Sequence, residues 1–151
     1  MIVCLGGTFN PLHRGHKKLI QKAFDLAGST GLIFIGVTSG ELLKNKLNVK
    51  SFEQRKKSID EYIFQKGFKI RYVIKPIFDK YGPSVEGDFD AIVVSYETKT
   101  IAEEINIKRK KIGKKSLKII EIPFVLAEDG HPISSTRIRN NEIDEDGKII
   151  L

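Results

Sequence analysis

The sequence contains no tryptophan, a single cysteine and no long hydrophobic run. Because a lone cysteine has no partner within the chain, Cys4 excludes an internal disulfide, and its apolar surroundings predict a small buried side chain. A membrane-spanning helix needs about 20 consecutive apolar residues, and no segment approaches that length. The first apolar run begins at Met1 and already belongs to a predicted strand. We therefore expect no signal peptide and a cytoplasmic protein.

Positive charge is what the chain has in excess. It carries 26 Lys and Arg against 19 Asp and Glu, which gives a net charge of +7. Such a balance fits either a nucleic-acid-binding protein or an enzyme that acts on anionic small molecules. The densest basic run, residues 108–118, contains no aromatic side chain for base stacking, so we favour the second interpretation. At 151 residues, the chain 1–151 is expected to form a single domain.

The most informative stretch reads GGTFNPLHRGH and covers residues 6–16. An apolar run precedes it and an amphipathic run follows it, which predicts a strand, a glycine-rich turn and a helix beginning near residues 13–16. The two glycines allow a sharp turn and close approach of a ligand. The helix start presents unpaired N–H groups, which favour phosphate. His13 and His16 share one face of that helix, where both imidazoles can donate to phosphate oxygens.

Neither of two common phosphate-binding motifs is present in this turn. No Gly-Lys-Ser/Thr follows the glycines, as a P-loop requires, and the Gly-x-Gly-x-x-Gly dinucleotide fingerprint is missing. A second candidate phosphate site is ISSTRIR, residues 133–139, which opens a helix that its serines can cap. The basic segment 42–46 follows a strand end, where parallel sheets bind ligands. Its lysines, Lys44 and Lys46, are equally consistent with a solvated surface.

The remaining segments alternate between strand and helix patterns. Ser51 and Gln54 have the spacing of a capping box at a helix start. The alternation predicts an α/β fold with a five-stranded parallel doubly wound (Rossmann-like) sheet and right-handed crossovers. A switch point beside the first strand would place the GGTF turn and Ser95 on opposite sides of a crevice, with Ser134 closing it. The further predicted strands are 31–38, 69–76, 89–94 and 117–124, the further helices 51–67 and 97–112, and the tail 140–151 stays unplaced.

Residues 7–16 resemble the GTFDPxHxGH signature of the nucleotidyltransferase superfamily that is related to class I aminoacyl-tRNA synthetases. Residues 133–139 match the second signature of that superfamily, ISSTxIR, at every fixed position. The resemblance implies that His16 donates to the α-phosphate of ATP and that His13 supports the leaving phosphates. The implied nucleotide-binding residues are Thr8, Phe9, Asn10, Gly15, Ser134, Ser135, Thr136 and Arg139.

Four shorter stretches resemble one branch of the superfamily, phosphopantetheine adenylyltransferase of the archaeal and eukaryotic type. They are LLKNK at 42–46, YGP at 81–83, VVSYET at 93–98 and INIKR at 105–109. The bacterial type carries an RGLR turn after the fourth strand, which this chain lacks, and Arg109 is the candidate to replace its arginines. Lys44 is implied in catalysis. The implied acceptor-binding residues are Thr8, Lys44, Lys46, Ser95, Glu97 and Arg109.

The reaction that this resemblance implies joins ATP and 4′-phosphopantetheine to give dephospho-CoA and pyrophosphate. The attacking phosphate is already ionised near neutral pH, so positioning and charge stabilisation suffice without a strong general base. We expect Mg²⁺ to bridge the triphosphate oxygens, because no carboxylate cluster indicates a metal held by the protein. The expected partners are ATP and 4′-phosphopantetheine, with neither nucleic acid nor membrane, and the oligomeric state stays open.

Other small nucleotidyltransferases share both signatures, so two further interpretations stay open. One is an FMN or nicotinamide-mononucleotide adenylyltransferase, or a cytidylyltransferase, which would differ in the acceptor pocket formed by residues 81–83 and 95–98. The other is a basic RNA-binding module on the same fold. Salt-sensitive RNA binding without nucleotide turnover would distinguish that module from an enzyme.

Overall fold

The computed structural model describes all 151 residues, and a parallel sheet forms its centre. The strands are β1 (Ile2–Gly7), β2 (Leu32–Thr38), β3 (Arg71–Ile77), β4 (Ala91–Val94) and β5 (Lys118–Glu121). They lie side by side in the order β3-β2-β1-β4-β5, and every neighbouring pair is parallel. The predicted five-stranded parallel α/β sheet is therefore confirmed.

Helices connect the strands at nearly the predicted positions. Ser51 and Gln54 form the predicted capping box, since the side chain of each accepts a hydrogen bond from the backbone N–H of the other. The same helix ends at Gly67, whose left-handed φ of 68° suits glycine. The four α-helices are α1 (Arg14–Ala27), α2 (Phe52–Lys66), α3 (Lys99–Lys111) and α4 (Ser135–Arg139).

The side chains of β1 alternate between two cores, because successive residues of a strand point to opposite faces of the sheet. Val3 and Leu5 lie in the larger core, which also contains buried residues of α1 and α2. Cys4 lies in a smaller core with Ala102 and Ile105 of α3. Helices therefore cover both faces of the sheet. Burial raises the pKa of the Cys4 thiol to about 11, so it stays protonated and acts as a packing residue.

The carboxyl ends of β1 and β5 differ from the predicted boundaries. Gly6 and Gly7 belong to β1, where they pair with Gly36 and Val37, so the turn begins only at Thr8. At the other edge, β5 ends at Glu121, three residues before the predicted end. Proline has no N–H with which to extend a ladder, and Pro123 follows two residues later.

The INIKR segment of α3 fastens the helix to its neighbouring loops. Asn106 exchanges two side-chain hydrogen bonds with the backbone of Leu117, at 3.0 and 2.7 Å. Arg109 is 3% exposed, and its guanidinium donates only to backbone carbonyls. Arg109 therefore fastens α3 to these loops, and the acceptor-binding role predicted for it stays a prediction. The carbonyl oxygens that accept from it belong to Lys115 (2.7 Å), Gly87 (2.8 Å), Ser84 (2.9 Å) and Val85 (3.3 Å).

The C-terminal tail, which the sequence left unplaced, packs beside the start of α1. Ile143 is fully buried in a small cluster with Ala127 and Ile133. The backbone N–H of Arg14 donates to the carbonyl oxygen of Glu145 at 3.1 Å. The tail therefore links the segment that precedes α4 to the first turn of α1.

Candidate active site

A cleft of about 810 Å³ opens at the carboxyl ends of β1 and β4. This is the switch point of the sheet, because β1 connects to β2 on one side and lies against β4 on the other. The GGTF turn, the Ser95 region and the Ser134 region all line this cleft, so the predicted crevice is present. The predicted site residues that line it are Thr8, His13, Gly15, His16, Lys46, Ser95, Glu97, Ser134, Ser135, Thr136 and Arg139.

His13 and His16 hold each other in place through the backbone at the start of α1. Nδ1 of His13 accepts from the N–H groups of Gly15 (3.0 Å) and His16 (3.3 Å). Nδ1 of His16 accepts from the N–H of His13 at 3.2 Å, which completes a capping box made of two histidines. The rings stack with centroids 3.7 Å apart. A Cβ on Gly15 would lie 2.8 Å from Cε1 of His13, so this arrangement requires glycine there.

These contacts determine which nitrogen of each ring carries the proton. An Nδ1 that accepts a hydrogen bond has no proton in the neutral ring, so the proton resides on Nε2. Burial lowers the pKa of His13 to about 4. Burial also lowers the pKa of His16 well below its usual value, with smaller contributions from His13 and Lys46. Both rings are therefore neutral at pH 7, and each has one Nε2–H donor at the cleft.

Thr8, the first residue after β1, forms a polar cluster with a lysine and a second threonine. Its hydroxyl oxygen accepts from Nζ of Lys46 at 2.6 Å and from Oγ1 of Thr38 at 2.9 Å. Burial lowers the pKa of Lys46, and the positive charges of Arg139 and Arg55 lower it further. Neither Lys46 nor Arg139 forms a salt bridge with a carboxylate. Unneutralised positive charge in a cleft favours a polyanionic ligand.

The two lysines of the LLKNK segment have different positions. Lys44 follows the 3-10 turn Gly40–Leu43, is exposed and does not line the cleft. Lys46 lies two residues further along the chain. Its backbone N–H donates to the carbonyl of Leu43 at 2.9 Å, and its side-chain Nζ donates to the hydroxyl of Thr8. The catalytic and acceptor-binding roles predicted for Lys44 stay predictions, and the structure brings Lys46, not Lys44, to the lining of the cleft.

Phe9 and Asn10 support the site from behind and do not line the cleft. Phe9 is 1% exposed, and its ring centroid lies 4.9 Å from that of His16. The side chain of Asn10 donates to the carbonyl of Asn48 (3.3 Å) and accepts from the N–H of Lys50 (3.1 Å). Burial and backbone contacts occupy these two side chains, and the nucleotide-binding roles predicted for Phe9 and Asn10 stay predictions.

Helix α4 closes the cleft. Ser134 caps it as predicted, since its hydroxyl accepts from the N–H of Arg137 at 3.2 Å. Arg137 is paired with Asp129, whereas Arg139 contacts only the Thr136 hydroxyl, at 3.4 Å. Of the two arginines in this helix, Arg139 is therefore the one with donors available to a ligand.

Side chains that hold metal ions are sparse in the cleft. Glu97 and Glu121 are its two carboxylates. No group of three or more His, Cys, Asp or Glu side chains is arranged to hold a metal ion.

None of the helices combines the length and the apolar character needed to cross a membrane.

Comparison with known proteins assigns the family. Residues 4–141 match the family model described as cytidylyltransferase-like. The chain is 47% identical to a phosphopantetheine adenylyltransferase of Methanosarcina mazei, with 97% of this chain and 96% of that protein covered. It is 45% identical to the protein of that name from Archaeoglobus fulgidus, with 99% and 100% covered. The chain belongs to the phosphopantetheine adenylyltransferase family.

Solved structures resemble this phosphopantetheine adenylyltransferase family member to different degrees. A protein of unknown function from Archaeoglobus fulgidus matches with a TM-score of 0.72 and 37% identity, covering 89% of this chain and all of the other. A putative nicotinate-nucleotide adenylyltransferase from Vibrio parahaemolyticus matches with a TM-score of 0.56 and 17% identity, covering 96% and 82%. The second match concerns the fold alone.

One residue that the sequence analysis missed is Arg55, which supports the cleft of this adenylyltransferase family member. It is 2% exposed, and its Nη1 donates to the carbonyls of Thr38 (2.7 Å) and Thr8 (3.2 Å). It thereby joins the ends of β1 and β2 to α2. A signal was present, because Arg55 is four residues before Ile59 and so lies on the buried face of α2.

An aromatic pair at the cleft was also missed. The rings of Tyr96 and Phe124 have centroids 4.6 Å apart, and both side chains are about half exposed. Both line the cleft, where they offer apolar surface to a flat ring. No local sequence pattern indicates the pair, because the two residues follow different strands and meet only through the tertiary fold.

We predict that the stability of this family member falls from about pH 6.5 to about pH 4 through His13. The unfolded chain takes up a proton on His13 near pH 6.5 but the folded protein only near pH 4, so the unfolded state binds more protons in this window. The shift corresponds to a loss of up to about 3 kcal/mol in the free energy of unfolding.

Urea unfolding at pH 7 and pH 4.5 measures this loss. The matched variant is His13→Asn, which keeps an N-cap acceptor but cannot titrate. We expect its stability to fall less than that of the wild type over the same interval. An identical fall in both proteins would contradict the assignment to His13.

Proposed function

We propose that this protein transfers the adenylyl group of ATP to 4′-phosphopantetheine and releases pyrophosphate and dephospho-CoA. The observation that carries the proposal is one cleft in which two neutral Nε2–H donors meet the unpaired cations Lys46 and Arg139. The relatives from Methanosarcina mazei and Archaeoglobus fulgidus, which match over nearly their full length, are named phosphopantetheine adenylyltransferases. Donors and cations without a nucleophile–base pair are what phosphoryl-type transfer between two anions needs.

In the proposed reaction, an oxygen of the acceptor phosphate attacks the α-phosphorus of ATP in line. The bond from that phosphorus to the bridging oxygen breaks, and its electrons leave with pyrophosphate. His16 donates from Nε2 to an α-phosphate oxygen, where negative charge develops, and His13 donates to the leaving phosphates. Because both rings are already oriented by backbone hydrogen bonds, they need no reorganisation during the reaction.

The remaining cleft residues divide between the two substrates in this proposal. Arg139 and the hydroxyls that begin α4, from Ser134 to Thr136, bind the β- and γ-phosphates. Thr8 and Lys46 orient the attacking phosphate, and Ser95 and Glu97 contribute to the acceptor pocket. Mg²⁺ would be brought to the cleft by ATP, where it would neutralise part of the charge of the triphosphate.

The direct test measures pyrophosphate release with ATP and different acceptors. We expect turnover with 4′-phosphopantetheine and none with pantetheine, because the attacking group is the phosphate. The same assay is repeated with FMN and with nicotinamide mononucleotide as acceptors. A further assay replaces ATP by CTP. Turnover with one of those combinations, and not with ATP plus 4′-phosphopantetheine, would assign the chain to another nucleotidyltransferase activity.

The role of His16 is tested by His16→Gln, which keeps the side-chain oxygen of a capping box but lacks the imidazole donor. We expect kcat to fall on the order of a hundred- to a thousandfold, as for other lost transition-state donors. The urea midpoint should stay close to that of the wild type. A raised KM with unchanged kcat would mean that His16 binds substrate and transition state equally.

The two lysines of the LLKNK segment form a matched pair for a second kinetic test. Lys46→Met should lower kcat/KM by at least about tenfold, because a charge-assisted hydrogen bond contributes about 1.5–3 kcal/mol. Lys44→Met removes the same charge two residues away, outside the cleft, and should leave the kinetics near those of the wild type. Equal losses in the two variants would indicate general electrostatic attraction instead of a specific contact.

A further inference from the structure

We infer that Thr38 is a positioning residue: its hydroxyl directs the Thr8 hydroxyl proton into the cleft, towards a ligand phosphate. The inference rests on the proposed function and adds to it a residue that neither signature contains. It stands on the geometry at the ends of β1 and β2 and on a count of hydrogen-bond donors and acceptors.

The two threonines meet because of the strand register. Gly7 of β1 pairs with Val37 of β2, so Thr8 and Thr38 are the residues that follow this last pair. Nη1 of Arg55 donates to the carbonyls of both, at 3.2 and 2.7 Å, and holds the two chain ends together. The hydroxyl oxygens lie 2.9 Å apart as a result.

The hydroxyl of Thr8 has one proton and two acceptor positions. The ammonium of Lys46 has no lone pair, so in its 2.6 Å contact it must be the donor. When Thr38 also donates, both acceptor positions are filled and the Thr8 proton needs an acceptor elsewhere. No protein atom accepts a hydrogen bond from this hydroxyl, and Thr8 lines the cleft. A phosphate oxygen of the acceptor substrate is the chemical group that completes the arrangement.

Thr38 therefore acts through Thr8 and does not itself need to touch the substrate. A donor that is already oriented requires no rotation when the attacking phosphate arrives. Without the Thr38 hydroxyl, one acceptor position on Thr8 is vacant and its O–H can rotate away from the phosphate. Because Thr8 orients the nucleophile, the loss is expected mainly in the chemical step.

The test compares Thr38→Val, which has nearly the shape of threonine, with Thr38→Ser, which keeps the hydroxyl. Pyrophosphate release from ATP and 4′-phosphopantetheine gives kcat and both KM values. We expect Thr38→Val to lower kcat roughly fivefold to tenfold, the size of one hydrogen bond, and Thr38→Ser to restore most of it. KM for ATP should not change. Thermal unfolding of each variant, with Thr38→Ala as a second deletion of the hydroxyl, verifies the fold.

A double-mutant cycle separates positioning from a structural effect. In a Thr8→Val background, Thr38→Val should cause no further loss of kcat, because the hydroxyl on which it acts is gone. Losses that multiply, or wild-type kinetics for Thr38→Val, would overturn the inference while leaving the proposed function intact. A wild-type protein that turns over no ATP with 4′-phosphopantetheine would instead overturn the proposed function, and this inference with it.

Discussion

The hydrogen bonds that His13 and His16 accept from the backbone of α1 are the constraint on which the site depends. They do two things at once, since they satisfy N–H groups that a helix start leaves unpaired and they fix each ring with Nε2–H as its donor. A Ser–Glu capping box would stabilise the helix equally but would present no imidazole to the cleft. The requirement for glycine at position 15 follows from the same geometry, because any side chain there would meet the ring of His13.

The rest of the fold holds this turn against the other walls of the cleft. Arg55 binds the carbonyls at the ends of β1 and β2, and the tail reaches the first turn of α1 through Glu145. Arg109 performs the corresponding task on the opposite side, where it binds the carbonyls of residues 84, 85 and 87. Two buried guanidiniums thus fix the backbone on both sides of the sheet through hydrogen bonds to carbonyl oxygens, and the cleft is preorganised.

The sequence was sufficient for features that depend on local patterns. The parallel sheet follows from apolar runs that alternate with amphipathic ones, and the capping box follows from the spacing of Ser51 and Gln54. Contacts between a side chain and a backbone group that is distant in the sequence could not be predicted from such local patterns. Arg109 matches a family motif but binds carbonyls, and Lys44 and Lys46 have identical chemistry and differ only in the path of a 3-10 turn. The local pattern of apolar and polar residues does not reveal which loop a buried arginine contacts, nor where a lysine side chain points.

Charge and hydrogen bonding have separate tasks in this cleft. Lys46 and Arg139 carry basic side chains that lack carboxylate partners, so they supply the attraction that gathers two polyanionic substrates. The histidines are kept neutral by burial, so they add donors without adding charge. If the two histidines were also cationic, they would tighten the binding of substrate, transition state and pyrophosphate alike. Such uniform binding does not raise kcat. Neutral, fixed donors avoid this cost because they strengthen mainly as charge develops on the oxygens they face.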